Sequence, residues 1–352
     1  MSPSSFPAPP LRLGVLDQAP ISDGSTAADA LRNTLDLSRL ADELGYHRYW
    51  VAEHHGTPML AGASPEVLIG PIAATTTRIR VGSGGVMLPH YSPFKVAESF
   101  SILAGLFPNR IDLGVGRAAG TDARTALALQ RDRRQSNPDD FPEQLGELLD
   151  YLDGTLPDGH PFARLAKLPG RPEKPEAWLL GSSDQSGIWA AEMGLPYAFA
   201  DFINPAGAAI TREYRRSYMP SELRPSPVVS VTVWALAAET DEEAERLASS
   251  SAMVFSLFDR GRMIQVPTVE TALRFFEEEG IPPGRFLRPR RRIVGSPLTV
   301  RTGIETVARE YQADEVLLVT ITHDHAARRR SYELVAEAFD LASQVRDTAF
   351  IS

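Results

Sequence analysis

Residues 48–83, RYWVAEHHGTPMLAGASPEVLIGPIAATTTRIRVGS, contain one strand–helix–strand unit that decides the fold. The runs Arg48–Ala52 and Ile79–Ser83 are short and apolar, which is typical of buried strands. Between them, Pro65–Thr75 carries apolar residues at the three- and four-residue spacing of a helix. Two strands joined through a helix predict a parallel pair.

The same alternation continues along the whole chain. Six further strand-like runs bring the total to eight: Leu11–Leu16, Ile111–Val115, Ala177–Leu180, Pro196–Phe199, Val228–Leu236 and Glu315–Thr320. Helical patterns lie between them: Ala27–Leu44, Pro93–Leu106, Phe141–Leu152, Ser186–Met193, Ala326–Ala342 and a helix from Pro297 with Ser296 as its N-cap. An open doubly wound sheet also fits this alternation, but eight strands in a chain of 352 residues favour a closed barrel. The prediction is an α/β fold, a (β/α)8 TIM barrel that spans 1–352 as one domain with long insertions at its C-terminal face.

Composition excludes several functions. The net charge is −9 and no dense basic block is present, so no nucleic-acid partner is expected; the short basic run Arg288–Arg292 is interpreted as a solvated loop. There is no cysteine, so redox chemistry would need a bound cofactor. No apolar run approaches the ~18 residues of a membrane span, and the start MSPSSFPAPP does not resemble a signal peptide. These features predict a cytoplasmic protein without a membrane partner.

Two long stretches interrupt the regular alternation. Residues Ala118–Asp140 are polar, and residues Ser250–Gly295 contain Pro267, Pro282, Pro283 and a basic run. Long irregular segments inside a compact domain often cover an active site. The second stretch is therefore predicted to be a lid, with simple disorder as the alternative. Substrate specificity is expected to come from both stretches.

The chemistry of such a barrel lies at the C-terminal ends of its strands. The second strand is followed by Glu53-His54-His55, and histidine is the side chain best suited to exchange protons near neutral pH. Side chains alternate along a strand, so only one of the two histidines is expected to face the pocket. A structural role is the alternative, and no metal site is predicted, because no further ligand lies at a familiar spacing. His323 and His325 after the last strand could form a polar turn.

Three glycine-rich strand ends could contact a ligand. Gly82–Gly85 permits close approach of a flat molecule, or else forms a bulge that curves the barrel. Arg117 follows two glycines and could grip a phosphate, or form a surface salt bridge. Gly181–Gly187 enters a helix whose N-terminus could bind an anion, or Ser183 or Asp184 could act as an ordinary N-cap. Two such loops after adjacent strands favour a phosphate site.

Several of these motifs together resemble the bacterial luciferase-like monooxygenases, in particular the single-chain members that use FMN. The resemblance is carried by Tyr49–His55, Val81–Pro89, Asn109–Gly120 and Gly181–Pro196, in order and at the right spacing. It implies a barrel that binds reduced FMN, FMNH2, forms a flavin C4a-hydroperoxide with O2 and oxidises a small organic substrate. It also implies a separate NAD(P)H:flavin reductase as the source of FMNH2, and a homodimer formed through the second and third helices.

The resemblance also assigns residues. His54 matches the family's catalytic histidine, and Gly84-Gly85 falls where the family has a non-proline cis peptide beneath the flavin ring. Arg117 matches a phosphate-binding arginine, and Arg134 is matched to a second one. The serines of the fifth strand end complete the predicted cofactor site: Ser182, Ser183 and Ser186.

The sequence departs from the light-emitting luciferases at one position. Gly116 stands where those enzymes carry a reactive cysteine, so neither light emission nor an aldehyde substrate is predicted. Two alternatives remain open at this point. One is an F420-dependent hydride-transfer oxidoreductase on the same barrel, and the other is a non-catalytic flavin-binding protein.

Overall fold

The computed structural model describes residues 10–117, 122–129, 140–163, 174–222, 224–283 and 290–343. It confirms the (β/α)8 barrel: eight parallel strands close into a cylinder through the pairing of β6 with β7. A ninth strand, β8, adds to the end of β7, where Ala235 lies opposite Ile293. The strands are β1 (Arg12–Asp17), β2 (Arg48–Val51), β3 (Arg80–Met87), β4 (Ile111–Gly116), β5 (Glu176–Gly181), β6 (Tyr197–Ala200), β7 (Val229–Ala237), β8 (Ile293–Gly295) and β9 (Glu315–Val319).

Helices surround the barrel and bury its outer face. The described helices are α1 (Ala27–Leu44), α2 (Pro65–Thr75), α3 (Pro93–Leu106), α4 (Ala123–Leu129), α5 (Phe141–Asp153), α6 (Asp184–Glu192), α7 (Ala208–Ser217), α8 (Asp241–Phe258), α9 (Val269–Glu279), α10 (Pro297–Tyr311) and α11 (His325–Phe339). Outward-facing strand residues such as Val15 and Val81 pack against this ring, while Leu16 and Trp50 face the barrel interior. Within the described ranges, no helix is long and apolar enough to cross a membrane.

The prediction that Ser250–Gly295 is a long irregular segment is wrong in its described part, whereas its role as a lid stays a prediction. Helix α8 continues through Ser250 to Phe258, and α9 follows after Thr268, whose side chain accepts a hydrogen bond from the Thr271 backbone N–H. The prolines that suggested a loop flank these helices rather than interrupt them. In the first irregular stretch, α4 is the described element.

The basic run near Arg290 is paired rather than solvated. Its three described arginines each contact a carboxylate: Arg290 with Asp259, Arg291 with Asp201, and Arg292 with Glu245. These pairs connect the segment before β8 to the end of α8, the end of β6 and the middle of α8. They hold the α8–α9 insertion against the barrel mouth.

The N-terminal end of the barrel interior is filled by an ionic cluster. Arg48 donates to Asp112 (2.6 Å) and to Glu315 (2.7 Å), and its guanidinium lies 4.5 Å from the centroid of the Trp178 ring. Trp50 Nε1 donates to the same Asp112 carboxylate at 2.9 Å. Because these charges are buried and mutually paired, they close the bottom of the barrel and leave the opposite end for a site.

Candidate active site

A cavity of about 360 Å³ opens at the C-terminal ends of the strands. Its floor is the interior of the barrel, where Leu16, Trp50 and Leu180 lie. One end reaches the β5–α6 loop, and the other reaches the segment after β2 that carries His54. The predicted residues of strands two to five therefore converge on one cavity, which the sequence order alone does not require.

The two glycines of β3 form a tight part of this floor. The peptide bond between Gly84 and Gly85 is cis, as the resemblance implied, and the β3–β4 register shifts there, so the predicted bulge is also present. A Cβ on Gly85 would lie 2.8 Å from the carbonyl oxygen of Gly114, and one on Gly84 would lie 2.4 Å from Leu16 Cδ1. Glycine is needed at position 85 because the backbone of Gly114 already occupies the space that a side chain would take.

The β5–α6 loop presents the N-terminus of a helix to the cavity. Ser183 is the N-cap of α6, where its hydroxyl accepts from the Ser186 N–H, and Ser186 Oγ donates to the Ser183 carbonyl at 2.7 Å. Two side chains outside the loop form hydrogen bonds that hold it in place. Tyr197 Oη lies 2.9 Å from Ser186 Oγ, and Asn204 Nδ2 donates to the Ser182 carbonyl at 2.9 Å. The first N–H groups of the helix and its dipole make this end suited to an anion.

Arg117 lies at the same end of the cavity. It follows β4 directly, and its guanidinium lies 5.5 Å from the centroid of the Trp189 ring on α6. Arg117, Ser182, Ser183 and Ser186 all line the cavity. A forked cation beside a helix N-terminus is a donor set for a phosphate group.

His54 lies at the other end of the cavity. Its backbone N–H donates to the Gly62 carbonyl, and within the described ranges its buried Nδ1 has no hydrogen-bond partner. Burial, and secondarily the neighbouring His55, lowers the pKa of the His54 imidazole from 6.5 to about 4. The ring is therefore neutral at physiological pH, and it can accept or relay a proton without carrying a standing charge.

Both adjacent histidines face a cavity, which corrects the expectation that only one would. The alternation rule does not apply because β2 ends at Val51, before either residue. Glu53 fixes His55: one carboxylate oxygen accepts from His55 Nε2 at 2.7 Å and from Tyr91 Oη at 3.0 Å. The other oxygen accepts from the Met87 backbone N–H at 2.9 Å, which ties this segment to the end of β3.

A second cavity of about 540 Å³ adjoins the first. His54, Gln18, Phe202 and Ile203 line both. The second cavity is otherwise walled mainly by apolar residues of the long insertions, of neighbouring loops and of β7: Met59, Leu60, Trp234, Val254, Phe255, Phe258 and Met263. Asp122 and Arg290 also line it, so both of the long stretches contribute residues, and their role in specificity stays a prediction.

The sequence reasoning missed several of these wall residues. Trp234 belongs to a predicted strand, but only the inward direction of its side chain gives it a role, and the pattern around Phe255 was interpreted as a loop. Arg134, matched to a second phosphate-binding arginine, lies outside the described residues. Asp17, the last residue of β1, is buried, and Arg328 Nη2 donates to its carboxylate at 2.6 Å and Tyr49 Oη at 2.5 Å.

The remaining histidines after β9 have structural partners. His323 Nε2 lies 3.1 Å from the Asp23 carbonyl, and His325 Nε2 lies 2.9 Å from the Asp36 carboxylate. In the portion of the chain with described coordinates, no group of three or more His, Asp or Glu side chains could hold a metal ion. The geometry thus contains a cavity with one end suited to an anion, a glycine floor and a neutral histidine.

Comparison with known proteins gives concordant results. A sequence model of the luciferase-like monooxygenases matches residues 11–311. A luciferase-like monooxygenase of Escherichia coli strain K12 is 40% identical over 332 residues, covering 93% of this chain and 96% of the relative. The N-acetyl-S-alkylcysteine monooxygenase of Bacillus subtilis strain 168 is 37% identical over 335 residues, covering 93% and 98%. The crystal structure of apo-MsnO8 is 41% identical, with a TM-score of 0.85, and covers 95% of this chain and 98% of that one.

Proposed function

Because the chain belongs to the luciferase-like monooxygenase family and is an oxidoreductase that incorporates oxygen, we propose that its electron donor is reduced FMN. Bound FMNH2 would supply the two electrons with which one atom of O2 enters a small organic substrate while the other leaves as water. The protein's own part is to bind and orient the reactants and to exclude water.

One observation carries this proposal: a single cavity has Gly84 and Gly85 in its lining at one place and a helix N-terminus with an arginine at another. A flat ring could lie against Gly84-Gly85, because both glycines line the cavity and neither carries a side chain. A phosphate at Ser182, Ser183, Ser186 and Arg117 would meet helix N–H groups, hydroxyls and a guanidinium. The described residues therefore fit FMN.

His54 is proposed as the catalytic group that moves protons at the reacting centre. It lies where the two cavities meet, so it can contact both the flavin end and the substrate end. Its lowered pKa keeps the ring neutral at physiological pH, which allows it to accept a proton. Arg134 remains a proposed second phosphate contact on the strength of the resemblance.

The alternative of a non-catalytic flavin-binding protein is set aside because the chain is an oxygen-incorporating enzyme by family. An experiment distinguishes FMNH2 from reduced F420 as the cofactor. Purified protein is titrated anaerobically with FMNH2 and, separately, with reduced F420, following absorbance and fluorescence. Tight binding of FMNH2, followed by substrate-dependent O2 uptake, is expected. Preference for F420 without O2 uptake would contradict the proposal.

Further parts of the proposal concern partners and organisation. FMNH2 would come from a separate NAD(P)H:flavin reductase, as the family resemblance implies. Two copies of the chain would associate through α2 and α3, where Val67, Ile102 and Leu106 are exposed apolar side chains. Organisation as one domain over 1–352 and a cytoplasmic location stay predictions.

A further inference from the structure

The second cavity allows the substrate class to be narrowed. We propose that this cavity binds an uncharged, largely apolar substrate about the size of a fused aromatic ring system, and presents the atom to be oxygenated beside His54. The inference rests on the proposed function, because the substrate is placed next to the cavity assigned to the flavin. It concerns chemistry that the family alone does not fix.

Part of the cavity wall is a continuous aromatic surface of side chains that pack against one another. The ring centroids of Trp234 and Phe255 are 4.6 Å apart, and those of Trp234 and Phe202 are 5.5 Å apart. Phe258 and Met263 extend this surface. Burying apolar ligand surface contributes roughly 25 cal/mol per Å², so an apolar ring gains most from these walls, and a volume of about 540 Å³ accommodates one.

The charges at the cavity disfavour an anion. Arg290 is the cationic side chain among the described lining residues, and it is already paired: its Nη2 lies 2.9 Å from Asp259 Oδ1, a carboxylate that is fully enclosed. Its guanidinium also lies 4.9 Å from the centroid of the Phe255 ring. An incoming carboxylate would have to compete with Asp259, and Asp122 at the same wall would repel it.

The position of His54 determines where a ligand in the second cavity would reach the first cavity. His54 and Phe202 line both cavities, so a ligand that fills the aromatic cavity reaches the first cavity at the imidazole. Because the low pKa leaves this ring neutral, it offers no charge to attract an anion either. The whole route from the aromatic walls to the reacting position is therefore suited to an uncharged molecule.

The test uses two probes that share one ring system. The full-length chain, with and without FMN, is titrated by calorimetry with neutral 2-acetylnaphthalene and anionic 2-naphthoate. The neutral probe is expected to bind at least about 10-fold more tightly, a difference of about 1.4 kcal/mol. Equal or tighter binding of 2-naphthoate would overturn the inference, as would a failure of both probes to bind protein that binds FMN. Failure of FMN itself to bind would instead contradict the proposed function.

Variants locate the binding. Phe258→Asp places a charge in the wall and is expected to weaken 2-acetylnaphthalene at least about 10-fold. Phe162→Asp is the matched control, since Phe162 is 48% exposed against 46% for Phe258 but does not line the cavity. Arg292→Met, outside the cavity, should leave the neutral probe within about twofold. Loss of tight 2-naphthoate binding in Arg290→Met would show that the arginine recruits anions, and would overturn the inference.

Discussion

At the residue scale, the phosphate assignment depends on Arg117. Its guanidinium lies beside α6 and lines the same cavity as the three serines. Arg117→Ala should weaken FMN binding by about 2–3 kcal/mol, because a charge-assisted contact to phosphate is lost. Quenching of flavin fluorescence measures the affinity. Arg117→Lys should recover part of it, and Arg32→Ala, an exposed ion-paired arginine on α1, should change nothing. Unchanged affinity in Arg117→Ala would move the phosphate elsewhere.

The proposed proton transfer depends on His54. His54→Ala should bind FMN normally but release H2O2 in place of oxygenated product, because no group remains to manage protons where the cavities meet. The ratio of product to H2O2 per FMNH2 consumed measures this coupling. The control is His323→Ala, whose ring contacts the Asp23 carbonyl away from both cavities. Wild-type coupling in His54→Ala would transfer the role to His55.

The lowered pKa of His54 also predicts a pH dependence of stability. The unfolded chain takes up a proton near pH 6.5, whereas folded His54 does so only near 4. Protons therefore favour the unfolded state between these values, and stability is lost as the pH falls below 6.5. Between about pH 7 and about pH 5, the free energy of unfolding should fall by about 2 kcal/mol because of His54. This fall should be absent from His54→Gln. Urea unfolding of both proteins at each pH measures the difference, and parallel losses would contradict the assignment.

At the scale of elements, a Gly→Ala substitution in the glycine floor of β3 can be compared with the same substitution in a helix. Gly85→Ala should cost about 1–3 kcal/mol of stability, because its Cβ would meet the Gly114 carbonyl backbone at 2.8 Å. Gly146→Ala in α5 is the matched control: a Cβ there meets nothing within 4 Å, and alanine favours a helix interior. Denaturant unfolding should show loss in the first variant and none in the second. Equal free energies of unfolding for the two variants would mean that the backbone around Gly85 can shift to accommodate a Cβ.

The sequence was informative about elements to the degree that local pattern determines them. The strand at Arg48 and the helix α2 follow from the spacing of their apolar residues and from the turn-forming residues that bound them, and both form as predicted. Strand β8 has three residues, too few to show a period, and depends on pairing with the end of β7. The direction of Trp234 and the pairing of Arg290 with Asp259 depend on contacts distant along the chain. Many residues that line the first cavity could thus be predicted from motifs, whereas the aromatic wall of the second could not.

At the scale of the whole molecule, the proposed homodimer depends on α2 and α3. Val67 on α2 is 66% exposed and Ile102 on α3 is 56% exposed, and large apolar side chains grouped on adjacent helices gain by association. Ile102→Glu would place a charge in that interface and should yield a monomer. Light scattering after gel filtration should give twice the 38.5 kDa chain mass for wild type and the single mass for the variant. Leu298→Glu on α10, 75% exposed, should stay dimeric because that side chain lies outside α2 and α3. A dimeric Ile102→Glu would place the interface on another face, and a monomeric wild type would mean that each barrel works alone.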